Sequence, residues 1–324
     1  LLPGALGDAV LQADLFCRIA DTVEDSPHLD PACKPACLEE YSRLFPLRDG
    51  WEGRVRAWSH HFGDLEDRGA DHELCSRAEA VFRAFQAVPA HLRAPVEDCV
   101  REMALGMRDF TARRVASPGG RLQLESIAEL EQYCHCVAGT VGQMLCRLFA
   151  SSSRHFDALR QQRMRELAGR FGLAMQLTNI IKDVAEDARR GACYVPRLLA
   201  ARHRLDPEEI LDPQQRPQAR AVLRELAVYA VQALDAALDF TLIIPRREAR
   251  LRLFCLWPIF LAVRTLRRVL QDERLFVPGA RPRITRHEVR HCLGRATLAV
   301  LSNRAIARLY AHERLALEAG LVTS

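Results

Sequence analysis

Four side chains with amide or carboxylate oxygens recur at helical spacing in the second half of the chain. They stand at offsets of zero, three, seven and eleven, which at about 100° per residue places them on one face of a helix. Mg²⁺ prefers such oxygen ligands, with substrate phosphates completing its coordination. We call this set the C-terminal ladder: Gln176, Asn179, Asp183 and Asp187.

The opposite face of this segment is apolar, which predicts an amphipathic helix. A solvated acidic face, paired with neighbouring cations through ordinary contacts on a helix surface, explains this stretch equally well. A second ladder elsewhere in the chain would favour the metal site. The apolar residues are Leu177, Ile180, Ile181 and Val184, and the neighbouring cations are Lys182, Arg189 and Arg190.

A second acidic stripe occurs on the first predicted helix, residues 5–25. Asp21, Glu24 and Asp25, the N-terminal ladder, lie within about one turn, one to two turns after Arg18. Like charges at such spacing destabilise a helix by roughly a few tenths of a kcal/mol each. Because the sequence tolerates this cost twice, we predict that Mg²⁺ ions lie between the two ladders across one cavity.

The charge composition excludes some classes of partner. The formal net charge is +5, and Asp and Glu are interleaved with the cations along the chain. This pattern argues against nucleic-acid binding and suits an anionic substrate or a membrane surface. Nearly all of the cations are arginine, since Lys34 and Lys182 are the only lysines.

The remaining composition predicts an intracellular globule. Eleven cysteines are scattered without paired spacing, which favours reduced thiols in a cytoplasmic protein. A membrane span needs about 20 consecutive apolar residues, and the sequence contains no such run. The nearest stretch, Leu253–Val263, is short and contains Pro258, so we expect a core helix.

Helical periodicity dominates the chain, and we expect an all-α fold in a single domain, residues 1–324, without strand pairs. Pro and Gly residues break the segment from Asp30 to Gly69 into short helical pieces. The other predicted helices cover 5–25, 71–88, 92–115, 124–150, 157–188, 218–240, 247–272 and 287–318.

Tyr133 begins an apolar stripe on the predicted helix Leu124–Ala150, and Gly139 and Gly142 remove side chains beside it. Two interpretations stay open. The glycines allow tight packing of another helix, or they leave an apolar slot for a long hydrocarbon with the Tyr133 hydroxyl as a polar handle.

Three arginines stand close together on a predicted loop before the terminal helices: Arg281, Arg283 and Arg286. Their guanidinium groups could bind a phosphate. An exposed basic loop without a ligand is an equally common arrangement.

Three motifs, DTVED, YCHCVAGTVG and QLTNIIKDVAED, together resemble the squalene and phytoene synthase family over nearly the whole chain. The resemblance implies an isoprenoid-synthase helical bundle around a central cavity and a prenyltransferase of the farnesyl-diphosphate farnesyltransferase type. It implies a role for Tyr133 in the carbocation steps and diphosphate contacts from Arg18, Gln176, Asn179 and Lys182. The Mg²⁺ ligands that it implies are Asp21, Glu24 and Asp25 in the N-terminal ladder and Asn179, Asp183 and Asp187 in the C-terminal ladder.

Within this family, the chain is more similar to squalene synthases. The segment containing Arg283 and Arg286 resembles the basic loop that those enzymes place near the reducing nicotinamide. The resemblance implies that two farnesyl diphosphates form presqualene diphosphate, which NADPH reduces to squalene. The alternatives are dehydrosqualene or phytoene synthesis without reduction, and a non-catalytic helical relative. We expect peripheral membrane contact at product release, without a transmembrane helix.

Three departures from the family pattern concern diphosphate binding rather than the metal ligands of the ladders. Asp14 stands where the family usually has a tyrosine, and Ala192 stands where an arginine usually follows the second motif. Lys182 replaces another usual arginine, which keeps the charge but loses the bidentate geometry of a guanidinium.

Overall fold

The structure is a computed structural model that describes residues 1–63, 69–280 and 282–322. The described residues form fourteen α-helices, one π-helical turn and one pair of very short strands. In chain order these are α1 Gly4–Asp25, α2 Lys34–Ser42, α3 Trp51–Ser59, α4 Ala70–Ser76, α5 Ala78–Gln86, α6 Ala90–Ala116, β1 Leu122–Gln123, α7 Ile127–Cys134, the π turn His135–Gly139, α8 Thr140–Ser152, α9 Ala158–Arg189, β2 Ala192–Cys193, α10 Arg197–Arg202, α11 Arg216–Ile243, α12 Ala249–Gln271, α13 Arg286–Ala299 and α14 Asn303–Val322.

These elements form two compact units. The N-terminal unit consists of Leu2–Gly120 and Thr140–Arg154, and the C-terminal unit of Leu1, Arg121–Gly139 and His155–Ser324. The all-α prediction is confirmed, and the single-domain organisation stays a prediction.

An aromatic cluster holds α1 in the N-terminal unit. The ring of Phe16, which is fully buried, lies 4.7 Å from that of Phe82 and 5.1 Å from those of Phe45 and Phe85. The Tyr41 hydroxyl donates a hydrogen bond of 3.0 Å to the Phe16 carbonyl. Aromatic pairs at these distances add to the stabilisation from burial. Burial of this face fixes the rotation of α1 and leaves its acidic face at the surface.

The core of the C-terminal unit is built around the long helices α9 and α11. The Phe171 and Phe240 rings lie 5.4 Å apart between them. The predicted apolar stripe of α9 is buried, with exposures of at most 5%. This packing turns the opposite face of α9, which carries the C-terminal ladder, away from the core of the unit.

Among the described residues, one stretch meets the criteria for a membrane span, and its sequence was not recognised as such. The stretch Pro213–Ile243, which contains α11, is long and apolar enough by length and composition, and 56% of its apolar window is buried. Core helices of soluble proteins meet the same criteria, so this stretch is weak evidence for a membrane span. The stretch Leu253–Val263, which came nearest to a membrane span in the sequence, lies within α12.

The expectation that strand pairs are absent was wrong at one point. Leu122 and Gln123 pair in parallel with Ala192 and Cys193. The left-handed backbone of Gly191, with φ of 78°, ends the turn after α9, and its carbonyl accepts a hydrogen bond of 3.0 Å from the Leu122 amide. A two-residue pair has too little periodicity to be recognised in a sequence. It joins the end of α9 to the segment before α7.

The predicted helix Leu124–Ala150 is interrupted by the π turn His135–Gly139. Helix α9 passes this turn in backbone contact, because a Cβ atom on Gly172 would lie 2.1 Å from the Ala138 carbonyl oxygen. Tight packing therefore accounts for this part of the chain, although the glycine at the contact is on α9. The π turn also interrupts the apolar stripe predicted from Tyr133 onward, and the hydrocarbon slot stays a prediction.

We expect Gly172→Ala to destabilise the C-terminal unit by about 1–3 kcal/mol, because the added methyl group overpacks a backbone contact. Gly169→Ala, on the same helix, is the matched control, since a Cβ there meets nothing within 4 Å. Alanine should stabilise that site by about 0.5–1 kcal/mol through its helix propensity. Urea unfolding monitored by circular dichroism measures both variants. Equal free energies of unfolding for the two variants would contradict the contact.

Candidate active site

The N-terminal ladder occupies the last turn and a half of α1. Asp21 and Asp25 are exposed, and Glu24 is partly buried. Ile19, Ala20 and Val23 lie on the buried face of the same turns, each with 0% exposure. The apolar spacing of α1 thus presents the three carboxylates on one side of the N-terminal unit.

Crowding makes these carboxylates hard to ionise together. Desolvation, then the Asp25 and Asp21 charges, raises the pKa of Glu24 to about 8. Desolvation, followed by the charge of Asp25, also raises the pKa of Asp21 to about 7. Asp21 keeps surface in contact with water, but the protein around it removes part of its hydration. A divalent cation would relieve the repulsion, so this oxygen donor set fits Mg²⁺.

Three cations partly offset this charge. Lys34 and Arg114 lower the pKa of Glu24, and Arg18 lowers that of Asp21. The Lys34 ammonium, in a residue only 7% exposed, donates a hydrogen bond of 2.7 Å to the Glu24 carbonyl. Of these three cations, helical spacing and the family resemblance singled out Arg18 but not Lys34 or Arg114. The one available signal was that Lys34 is one of only two lysines.

Arg18 also has a partner that the sequence did not suggest. Its Nη1 atom lies 3.7 Å from the Asp71 carboxylate, and both side chains are more than half exposed. Such an exposed pair contributes little to stability, so it leaves Arg18 able to exchange Asp71 for another anion. Its assignment to diphosphate stays a prediction.

The C-terminal ladder lies on α9 as predicted. Asn179 is exposed, and Gln176, Asp183 and Asp187 are half-buried. A single uninterrupted helix from Ala158 to Arg189 carries all four residues, so they share one face. Their roles as metal and diphosphate ligands stay predictions.

Lys182 lies between two of the predicted metal ligands. Its ammonium is 3.1 Å from Asn179 Oδ1 and 3.1 Å from Asp183 Oδ2. The resemblance assigns Lys182 to the diphosphate. The structure shows it as an internal cation of the ladder, so a metal ion would compete with its ammonium for these oxygens.

Tyr133 is paired with a residue that the sequence analysis did not single out. Its hydroxyl donates a hydrogen bond of 3.0 Å to the Tyr194 hydroxyl, and the two rings stack with centroids 4.5 Å apart. Tyr133 is only 4% exposed. Tyr194 directly follows β2, so the strand pair that escaped prediction positions this aromatic pair.

The buried position of Ala192 bears on its departure from the family pattern. Ala192 is 6% exposed and pairs with Leu122 in the short sheet. An arginine at this position would have to extend from a buried backbone site before its guanidinium could reach an anion. Position 192 is therefore a buried backbone site in this chain, and the effect of Ala192 on diphosphate binding stays a prediction.

The basic segment is only partly described, since Arg281 lies outside the described residues. Arg283 is exposed and lies in a segment without regular structure. Arg286, expected on the loop, is instead the first residue of α13, behind a capping box formed by Thr285 and Glu288. The binding of NADPH by these arginines stays a prediction.

Within the described ranges, no three His, Cys, Asp or Glu side chains are grouped closely enough to hold a metal ion by themselves. Mg²⁺ usually keeps waters and takes substrate phosphates alongside one or two carboxylates. The two ladders fit that pattern better than a closed site made only of protein ligands.

We expect Lys182→Met to bind Mg²⁺ about two- to fivefold more tightly than the original chain, because the competing ammonium is removed at a partly exposed site. The midpoint of the Mg²⁺-dependent rise in Tm, without substrate, measures this affinity. Asp183→Asn is the matched control and should weaken the rise. A midpoint that is unchanged or higher in Lys182→Met would show that no metal binds beside Lys182.

Comparison with known proteins identifies related sequences. The squalene/phytoene synthase family model matches residues 1–288. Squalene synthase clz20 of Cochliobolus lunatus is 27% identical over 266 residues, covering 81% of this chain and 59% of the relative. A squalene synthase of Eremothecium gossypii is 26% identical over 275 residues, covering 83% and 58%. The chain thus spans less than two thirds of the length of these relatives.

Solved structures agree on the fold. The complex of TcSQS with the ligand BPH1237 superposes with a TM-score of 0.73 at 23% identity, covering 98% of this chain and 93% of the other. A dehydrosqualene synthase in complex with a ligand gives 0.56 at 20% identity, covering 96% and 89%. These likenesses confirm the expected isoprenoid-synthase helical fold.

Proposed function

Because the chain belongs to the squalene/phytoene synthase family, we propose that it is a prenyltransferase joining two farnesyl diphosphates head to head. The observation that carries this proposal is the pair of oxygen ladders, each backed by a buried apolar face and each with a lysine beside it. A non-catalytic relative has no need to keep crowded carboxylates that resist ionisation.

The side chains of this chain suit the first half-reaction. Mg²⁺, when bound at the ladders, neutralises the diphosphate charge and so improves the leaving group. Arg18, Lys34 and Lys182 bring further positive charge to the same carboxylates. The stacked rings of Tyr133 and Tyr194 offer π faces that can stabilise an allylic cation.

We further propose that NADPH reduces the first product, presqualene diphosphate, to squalene. The named relatives are squalene synthases, and Arg283 and Arg286 are exposed where guanidinium groups could bind a dinucleotide's phosphates. The alternative is a non-reducing enzyme that makes dehydrosqualene or phytoene.

We place this activity in the cytoplasm, with peripheral membrane contact for release of the hydrocarbon. The eleven cysteines, all of them among the described residues, are thiols outside any disulfide, which supports a reducing compartment. A water-insoluble product would leave most readily into a lipid surface.

Incubation with farnesyl diphosphate and Mg²⁺, with and without NADPH, tests the function directly. We expect squalene with NADPH and accumulation of presqualene diphosphate without it, both identified by mass spectrometry. Asp183→Asn should abolish both products while the protein stays folded, because a neutral amide is a poorer Mg²⁺ ligand of similar size. Dehydrosqualene or phytoene formed equally with and without NADPH would move the protein to the non-reducing branch. The absence of any product would indicate a non-catalytic relative.

The double variant Arg283→Ala, Arg286→Ala separates the two half-reactions. We expect it to form presqualene diphosphate at the original rate and squalene at least about tenfold more slowly, because dinucleotide phosphates lose charge-assisted hydrogen bonds. Arg290→Ala, an exposed arginine further along α13, is the control and should change neither rate. Equal NADPH dependence in all three proteins would place the dinucleotide elsewhere.

A further inference from the structure

A basic cavity lies in the C-terminal unit at the opposite end of α9 from the C-terminal ladder. It has a volume of about 500 Å³ and lies where α11 ends and α9, α12 and α14 begin. Its polar lining consists of His155, Arg160, Arg246, Arg247, Arg252 and Asn303, and its apolar wall is formed by residues 242–245. Within the described part of the chain, no aspartate or glutamate lines it.

Arg252 is a buried cation in the wall of this cavity, with 0% exposure. Its Nη1 donates a hydrogen bond of 3.1 Å to the Ile244 carbonyl, and its Nη2 donates one of 2.6 Å to Asn303 Oδ1. Its Nε has no hydrogen-bond partner. The structure shows no carboxylate paired with Arg252 among the described residues. Two neutral acceptors therefore carry a buried full charge, which is costly without a counter-ion.

The charges around the cavity do not supply that counter-ion. The carboxylate of Glu248 lies 2.8 Å from His155, and that of Asp157 lies 3.7 Å from Arg160. Arg246 is exposed at the rim of the cavity. Burial of the Arg252 guanidinium lowers the pKa of Arg252, and the positive charge of Arg246 lowers it further. The described lining of the cavity is therefore positive, with four arginines and no carboxylate.

A second cavity, of about 610 Å³, adjoins the first and shares Arg160, Leu242, Ile243 and Asn303 with it. The charged lining of this second cavity is balanced, with Glu166 and Asp239 alongside Arg160 and Arg163. The first cavity has four arginines and no carboxylate, so it is the more favourable position for the anionic end of a ligand. An uncharged remainder can extend into the second cavity.

We propose that the basic cavity binds a phosphate-class anion, either free phosphate or diphosphate or the phosphoryl group of a small organic molecule. The exposed Arg246 and Arg247 would bind the oxygens directly, since guanidinium groups match phosphate geometry. The buried Arg252 charge would strengthen the attraction from behind the wall, where screening by water is weak. The volume suits a small organic ligand better than a bare ion.

This site is separate from the proposed catalytic ladders. Arg160 lies in the first turn of α9 and Gln176 in its second half, which places them about 24 Å apart at about 1.5 Å per residue. Binding here requires no Mg²⁺, whereas the ladders carry excess carboxylates and would bind phosphate only through a metal. Binding at the cavity therefore does not depend on the proposed prenyltransferase activity.

The test is titration of the full chain with phosphate and diphosphate in EDTA, at constant ionic strength maintained with chloride. We expect saturable binding by calorimetry and a matching rise in Tm. Arg246→Gln, Arg247→Gln should weaken binding about tenfold or more. Arg250→Gln, an exposed arginine on α12 outside the lining, is the matched control and should bind as the original chain does. Binding that is absent, or equally strong in the double variant and the control, would overturn the proposal.

The variant Arg252→Met tests whether Arg252 contributes to anion binding or only stabilises the fold. Circular dichroism shows whether the variant is folded. If the buried charge attracts the anion, the Tm of the folded variant should no longer rise with phosphate. A folded variant with the original response would overturn the role of Arg252. If Arg252→Met fails to fold, Arg252→Lys, which keeps the charge, replaces it. The Tm of Arg252→Lys should still rise with phosphate, whereas that of Arg246→Gln, Arg247→Gln should rise only at higher phosphate concentrations. Glycerol phosphate, titrated in the same way, separates the two sources of the anion. Tighter binding than inorganic phosphate would identify a phosphorylated organic ligand, whereas equal affinities would identify free phosphate.

Discussion

Both carboxylate ladders lie at the carboxyl ends of their helices, and this placement governs the electrostatics of the candidate site. Glu24 and Asp25 fall in the last turn of α1, and Asp183 and Asp187 in the last two turns of α9. The helix dipole is negative at this end, so it disfavours carboxylates and favours cations. Mutual repulsion and desolvation act in the same direction on Glu24. The free chain therefore stores unfavourable electrostatic energy that a bound cation would release.

The two lysines of the chain offset this negative charge in different ways. Lys34 is buried and donates to the Glu24 carbonyl, so it caps the negative end of α1 through the backbone. Lys182 lies among the side-chain oxygens of its own ladder. The first arrangement leaves the carboxylates available for a metal ion, and the second occupies one carboxylate, that of Asp183, and the amide oxygen of Asn179. The two ladders are thus unequal in the free chain, although their sequence spacing is alike.

Periodicity predicted the long helices, because α1, α9 and α11 bury regular apolar stripes and the signal accumulates over many turns. The same patterns predicted which face of α9 carries the amide and carboxylate side chains of the C-terminal ladder. Features that depend on contacts between distant residues were missed. The π turn reflects the backbone contact of Gly172 with Ala138, and the pairing of Tyr133 with Tyr194 depends on a strand pair of two residues. The position of Lys182 within the ladder depends on rotamers that spacing does not specify.

The two ends of helix α9 favour ligands of opposite charge. Its amino end begins at the Asp157 cap beside the basic cavity, and its carboxyl end holds the C-terminal ladder. The helix dipole favours anions at the first end and cations at the second, so the side-chain charges at each end reinforce the preference of the backbone. Backbone contact at Gly172, near the middle, prevents the helix from shifting against the π turn. That contact leaves no space for local adjustment. A ligand that displaced the amino end of α9 would therefore move the whole helix, and with it the C-terminal ladder and the π turn that follows Tyr133.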